Sequence, residues 1–302
     1  SGESVRHARV AAGLAELERW LADQVRQGLA SATEDDWAGL AKRLIDAQAP
    51  GLASAVSRLA QVRRSDDWPE RLLAEYALIN LLAVAYRRRA ELPGPLAETV
   101  LIRTGFPVAR EEVLAGPAVR DHWDVLGRRD EEQDRLTSRR VWLRGRATGR
   151  AALILSFAPP GQPLDASLVT GTTIDADLTF YPGAAPLRAL VAARRTPWPD
   201  DPGGAVPDRA GVPPGVSPDD ALDEVAEALA GDPWIESWPL VLSGVVPERA
   251  SLGGIPLRPG SHDPWRLLAV SGGRPVTVAA EWTPLGLRPL TTWDDEGTAV
   301  IL

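Results

Sequence analysis

The chain reads as an α+β protein, an N-terminal antiparallel helical array followed by an antiparallel β-rich part with one intervening helix. Three observations predict this class. Apolar residues recur at every third or fourth position through the first third of the chain, and from Arg139 onward they recur at every second. The later runs are also short and separated by Gly, Pro and Asp turn signals.

The first helix is written by Val10, Leu14, Leu17, Leu21, Val25 and Leu29, one apolar stripe on an otherwise polar cylinder. Thr33 followed by Glu34, Asp35 and Asp36 caps the second, since a side-chain oxygen can accept a free backbone N–H and acids suit the positive helix end. Trp37, Leu40, Leu44 and Ile45 form its expected buried face. Pro50 and Gly51 break the chain before Leu52, Val56 and Leu59 repeat the pattern. Asp67 and Pro69 open a longer helix whose apolar face runs through Leu72, Leu73, Tyr76, Ile79, Leu82, Ala83 and Tyr86. Shorter helices are expected up to about Arg135. Mutual packing in an antiparallel array accounts for these stripes without a partner helix.

From Arg139 the runs VWLRG, ALILSF, TIDADLTFY and LRALVAAR alternate as strands do. Residues 196–218 hold seven prolines and four glycines, the composition of a linker or long surface loop. Ser217 and Pro218 then cap a helix using Leu222, Val225 and Leu229, closed by Gly231. WPLVLSGVVP, WRLLAVS, RPVTVAAEW, LRPLTTW and TAVIL follow as strands, and the turns SGGR, TPLG and DDEG suggest an antiparallel meander. The expected organisation is a helical domain over 1–137, a β region over 138–196, a linker over 197–216, and a helix plus meander over 217–302. The two β regions could form one domain on one curved sheet.

The 302 residues suffice for a substantial core, and the hydrophobic and charged fractions, 44% and 25%, are those of a globular protein. No apolar run reaches the roughly eighteen residues of a membrane span, and no signal-peptide pattern opens the chain. A soluble, cytoplasmic protein with no membrane partner is expected. Cysteine is absent, which excludes disulfides, a thiol nucleophile and thiolate-bound zinc within the chain. Arginine carries nearly all the positive charge, with Lys42 the only lysine and Asn80 the only asparagine. This bias fits a GC-rich genome and weakens any functional reading of arginine as such. A chain without methionine, even at position 1, reads as a piece of a longer product in which SGES is a cloning remnant.

Familiar chemical signatures do not fit. Lys42 sits in GLAKRL with no phosphate-binding loop before it. GRATGR has the wrong glycine spacing for a dinucleotide fingerprint and precedes a strand. Neither a G-x-S-x-G elbow nor an H-E-x-x-H pair occurs. Asp121, His122 and Asp124 are the densest set of candidate metal ligands or acid/base groups, and on a helix the two aspartates would share a face. A solvated, ion-paired face explains them more simply. His262 and Asp263 in SHDPW read as a turn, and Ser271–Arg274 as a hairpin turn whose glycines would also allow close ligand approach.

One stretch carries a sharper alternative. RRVWLRGRATGR, residues 139–150, is rich in arginine around Trp142 and contains no acid, in a chain of net charge −8. Strand alternation puts Arg140, Trp142, Arg144 and Arg146 on one face and Val141, Leu143, Gly145 and Ala147 on the other. A basic-aromatic face could hold single-stranded nucleic acid through phosphate contacts and base stacking. An outer strand face with arginine stems lying over the tryptophan is the simpler reading, since the chain as a whole is acidic and the preceding RRDEEQDR can neutralise the strip.

RVWLRGRATGRAALILSFAPPGQPLD, followed by TTIDADLTFYPGAAPLRALV, resembles the C-terminal region of bacterial SWIM zinc-finger family proteins. So do RVAAGLAELERWLADQVRQGLA, IDAQAPGLAS, WPERLL and the closing WRLLAVSGGRPVTVAAEW. The resemblance implies a cysteine/histidine zinc motif upstream of the first helix and no zinc-binding residue within these segments. It also implies company with a MoxR-type AAA+ ATPase and a protein containing a von Willebrand factor A domain. On that basis the expected function is a non-enzymatic interaction or scaffold module that needs no cofactor of its own. The alternative is a nucleic-acid-associated module using Arg140, Trp142, Arg144 and Arg146.

Overall fold

The structure, a computed structural model of the chain, describes residues 2–133, 135–195, 211–260 and 264–302. It divides into two compact units. One holds the residues up to Ala109 with two short returns, Pro182–Ala184 and Gly231–Trp234, and the other holds the rest.

The first unit is helical: α1 (Gly2–Gln27), α2 (Glu34–Asp46), α3 (Pro50–Ser57), α4 (Leu59–Val62), α5 (Trp68–Arg87) and α6 (Gly94–Thr104). The α1 stripe of Val10, Leu14, Leu17 and Leu21 is buried as the spacing requires. Its continuation differs, because a helix advances by about 100° per residue and brings Gln24 rather than Val25 to the core. Ile45 and Leu73, expected inside, are likewise exposed at the margins of their faces.

Thr33 closes a reciprocal capping box on α2. Its Oγ1 accepts the N–H of Asp36, while the Asp36 carboxylate accepts the N–H of Thr33 at 2.8 Å. Inside the bundle the indole N–H of Trp37 donates to the Tyr76 hydroxyl at 3.0 Å, so neither buried polar group is left unpaired. Burial pushes the Tyr76 phenol above its ordinary pKa, with the Trp37 bond working against it. Gly51, at the start of α3, lies against the Arg103 carbonyl near the end of α6, where a methyl group would find no room. The two returns are tied to these helices: Asp232 pairs with Arg103 at 2.7 Å, the Trp234 indole donates to the Leu78 carbonyl, and Thr99 Oγ1 accepts from the Ala184 N–H.

The second unit contains α7 (Arg110–Leu114), β1 (Ala118–Gln133), β2 (Leu136–Gly145), β3 (Ala151–Ala158), β4 (Thr173–Phe180), β5 (Ala189–Arg194) and α8 (Pro218–Gly231). Then come β6 (Trp238–Val245), β7 (Ser251–Leu252), β8 (Ile255–Pro256), α9 (Trp265–Ser271), β9 (Val276–Thr283), β10 (Gly286–Trp293) and β11 (Ala299–Ile301). Antiparallel pairing builds one sheet in the order β3-β2-β1-β4-β5, a second in the order β11-β10-β9-β6, and the small β7-β8 hairpin. The fold class is α+β.

Several local expectations are corrected. The stretch up to Arg135, expected to be helical, is mostly the long strand β1, and residue 137 falls inside the β1–β2 hairpin, where Glu132 pairs with Thr137. A bulge between Val125 and Gly127 explains the misreading. Leu126 packs in the cluster of Trp142, and Gly127, paired with Trp142, lies on that same face, so the two-residue period breaks mid-strand. WRLLAVS, expected as a strand, is the helix α9; short apolar runs do not distinguish the two, and Gly272 ends it with a positive φ of 57°. SGGR is therefore a helix C-terminus, not a hairpin turn.

The β regions form two sheets, not one curved sheet. Ser217 caps α8, accepting the Asp220 N–H, but the buried face is Ala221, Val225 and Ala228, leaving Leu222 exposed. Residues 197–210 of the expected linker, and His262 and Asp263, lie outside the described residues. Val216, at the linker's end, bridges to Leu242 of β6.

Candidate functional site

The arginine-rich stretch forms β2 and the turn after it, and alternation divides it as expected. Val141 and Leu143 point into the core of the five-stranded sheet with Trp123, Ile174 and Leu178. The opposite face is closed to solvent at Trp142. Trp142 is 0% exposed and packs with Leu126, Val241, Leu290 and Trp293 in the layer between the two sheets. The centre of the strip is therefore internal, because β1 and β2 are covered there by the second sheet.

Gly127, paired with Trp142 across the β1–β2 ladder, makes that cover possible; a Cβ there would meet the Leu290 side chain at 2.8 Å. A nucleobase has no way to stack on Trp142 in the folded chain. This corrects the expectation of an open basic-aromatic surface, and it equally corrects the reading of an outer strand face.

The arginines of the strip are held individually. Arg139 grips Asp130 through two nitrogens at 2.8 and 2.9 Å and donates to the Asp165 carbonyl. Its guanidinium is the main reason that the Asp130 carboxyl lies below its ordinary pKa. Arg140 sits beside Glu131, and Arg144 donates to Glu224 of α8 and to the Pro239 and Gly149 carbonyls. Arg146, beyond the end of β2, pairs with Asp124 at 3.0 Å and is the most exposed of the four.

Asp121 and Asp124 lie on β1, not on a helix, and each is almost fully buried. Being three apart on a strand, they point to opposite faces. The Asp121 carboxylate accepts from the N–H groups of His122, Ala147 and Thr148 and from the Thr148 hydroxyl, at 2.7–3.0 Å. Burial pushes its pKa up, but these bonds outweigh burial and hold it below the ordinary value. Asp124 accepts from Arg146 and from the Thr173 hydroxyl at 2.6 Å. Both carboxylates are thereby committed to pinning the β2–β3 turn and β4 onto β1. His122 faces solvent, and Lys42 is exposed on α2.

Two groupings escape sequence reasoning because their members are distant in the chain. Arg129 of β1 donates to both oxygens of Glu281 in β9, at 2.9 and 3.0 Å, and Arg288 of β10 lies 3.6 Å from the same carboxylate. The one available signal is Glu281 itself, an acid inside the apolar run VTVAAEW. In the helical unit, the His7, Phe106 and Tyr86 rings stack on one another, and His7 Nδ1 shares a hydrogen bond with the Tyr86 hydroxyl at 2.7 Å and has Arg89 at 3.3 Å. Nothing in the spacing of residues so far apart announces it.

No group of three or more His, Cys, Asp or Glu is placed to hold a metal among the described residues. No described helix is long and apolar enough to cross a membrane.

Residues 5–104 match the model of the SWIM-associated four-helix bundle domain, so the helical unit is similar to that domain over almost its whole length. No curated protein and no solved structure matches the chain.

Proposed function

We propose that the chain is a non-enzymatic interaction module of a SWIM-associated protein, acting as a scaffold for a MoxR-type AAA+ ATPase and a protein with a von Willebrand factor A domain. The observation that carries this reading is the match of residues 5–104 to the SWIM-associated four-helix bundle domain. The resemblance of the remaining segments to SWIM zinc-finger proteins extends it to the named partners and to a cytoplasmic setting.

The side-chain bonds favour the same reading. Asp121 and Asp124, the carboxylates most suggestive of chemistry, accept hydrogen bonds at both oxygens from their own unit. A general acid or base needs a proton path to a substrate, and a carboxylate with every oxygen occupied by a structural donor is badly placed to provide one.

The test is reconstitution from purified components. A MoxR-type ATPase and a von Willebrand factor A domain protein from the same genome are mixed with it at micromolar concentration, with and without ATP, and the complex is sized by light scattering during gel filtration. A stoichiometric complex is expected with at least one of the two. Independent elution of all three proteins in both nucleotide states refutes the proposal.

A further inference from the structure

The layer between the two sheets of the second unit changes character along its length. Leu126, Trp142, Val241, Leu290 and Trp293 fill its apolar part. Two residues further along β1 and β2, Arg129 and Arg140 stand opposite each other in register, and on the second sheet Arg288 is paired with Glu281. An ionic group thus continues directly from the apolar layer.

The bonding within that group is unequal. Arg129 takes both oxygens of Glu281 and also pairs with Glu131. Arg288 is left with an ion pair to Glu281 at 3.6 Å, too long for a hydrogen bond. Its Nη1 is buried and has no hydrogen-bond partner, although the side chain keeps 14% of its surface exposed. Burial, then the neighbouring Arg129, pushes this guanidinium below its ordinary pKa. Glu281 opposes the shift, while Arg258 and Arg140 add to it. Arg140 and Arg258 have contacts of their own, so they contribute charge, and the unspent donor belongs to Arg288.

A buried donor without a hydrogen bond in a folded protein calls for an explanation, and an unseen water or ion is the usual one. Water would satisfy the donor but would not offset the positive field that Arg129, Arg258 and Arg140 exert on Arg288. An oxyanion does both, because the guanidinium fork matches two oxygens of a phosphoryl group. Glu281 has a separate part: by fixing Arg129 from the second sheet it holds the cationic group together before any ligand arrives.

We propose that this end of the inter-sheet layer binds a small oxyanion of the phosphate class, with Arg288 as the direct ligand and Arg129, Arg140 and Arg258 supplying the positive field. The site is independent of the scaffold reading above and would stand if that reading failed.

The experiment is calorimetric titration of the full chain with inorganic phosphate and, separately, with AMP, each up to about 20 mM and matched in ionic strength by sodium chloride. Saturable heat with either ligand is expected, phosphate alone pointing to a free ion and AMP alone to the phosphate of a larger molecule. Thermal melts should rise by roughly 3–6 °C at tenfold excess over Kd, beyond any rise with chloride. Arg288→Met is expected to abolish the response. Should that variant not fold, Arg288→Lys keeps the charge without the fork and is expected to bind at least about tenfold more weakly. Absence of saturable binding by the unaltered chain, which would leave water as the partner, overturns the proposal. So does a response that survives Arg288→Met or is equally strong in Arg288→Lys.

Discussion

Replacing Asp121 by asparagine separates a structural carboxylate from a catalytic one. Four donors converge on the two oxygens of Asp121, and the residue is 5% exposed. Asparagine keeps one oxygen but puts an NH2 group against the donors that faced the other. Two donors then lose their acceptor, at about 1–3 kcal/mol each before relaxation, so a net loss of about 2–4 kcal/mol is expected. For a unit of this size that lowers the melting temperature by roughly 5–15 °C. Asp121→Ala should cost at least as much, since all four donors lose their partner. Gly145→Ala should act on the same contact from the other side, because a Cβ there would collide with the Asp121 carboxylate and meet Thr148 Oγ1 at 2.5 Å.

The pH dependence fixes the sign. The folded-state pKa of Asp121 lies below its unfolded value, so its stabilising contribution is complete above the unfolded pKa, about 3.9. It fades as the pH falls through the lower folded value. Thermal melts of the unaltered protein and of Asp121→Asn should therefore differ most near neutrality and converge below about pH 4. Active-site carboxylates are commonly held at a cost to stability, and replacing one often stabilises the fold. An unchanged or higher melting temperature for Asp121→Asn at pH 7 would refute the structural assignment and reopen the case for chemistry at this carboxylate.

Three further outcomes follow from the packing. Glu281→Gln removes the one buried acid between Arg129 and Arg288, and should destabilise the second unit by about 3–5 kcal/mol in urea unfolding followed by tryptophan fluorescence; a loss under about 1 kcal/mol would mean the arginines are already neutralised by something else. Thr33→Ala opens the capping box of α2, and amides in its first turn should exchange about fivefold faster, with unchanged exchange counting against the cap. Gly51→Ala sets a methyl group against the Arg103 carbonyl and should cost about 1–3 kcal/mol by forcing α3 away from α6, while a neutral melt would show that the contact is looser than the backbone positions imply.

The helical unit was legible because its stabilising pattern is local. Val10, Leu14, Leu17 and Leu21 repeat at the helical period, and the Thr33 cap is written within four residues. The errors inside it, Val25, Ile45 and Leu73, all sit at the edge of a stripe, where the exact rotation is decided by the neighbouring helix. The β unit was legible as strands but not as sheets. Pairing β1 with β4 joins residues about fifty apart, and no local signal specifies such a register. Strand β1 itself was lost because Asp121 and Asp124 look like a solvated helix face. Their burial becomes intelligible only once Thr148, Arg146 and Thr173 are brought to them by the fold.

The arginine strip shows why charge composition alone misplaces a residue. An arginine stem is apolar, and its head can be satisfied by carbonyls and carboxylates as well as by water. Arg144 does this through Glu224, Gly149 and Pro239, and Arg139 through Asp130 and Asp165. In a chain with one lysine, positions that need a cation inside a unit and positions that need one at the surface are filled by the same residue type. What distinguishes them is the acceptor brought from another strand. The ionic group around Glu281 follows the same logic to its limit, with Nη1 of Arg288 buried and left without a hydrogen bond. That unmet donor at Arg288, rather than the number of arginines in the sequence, is what points to a ligand.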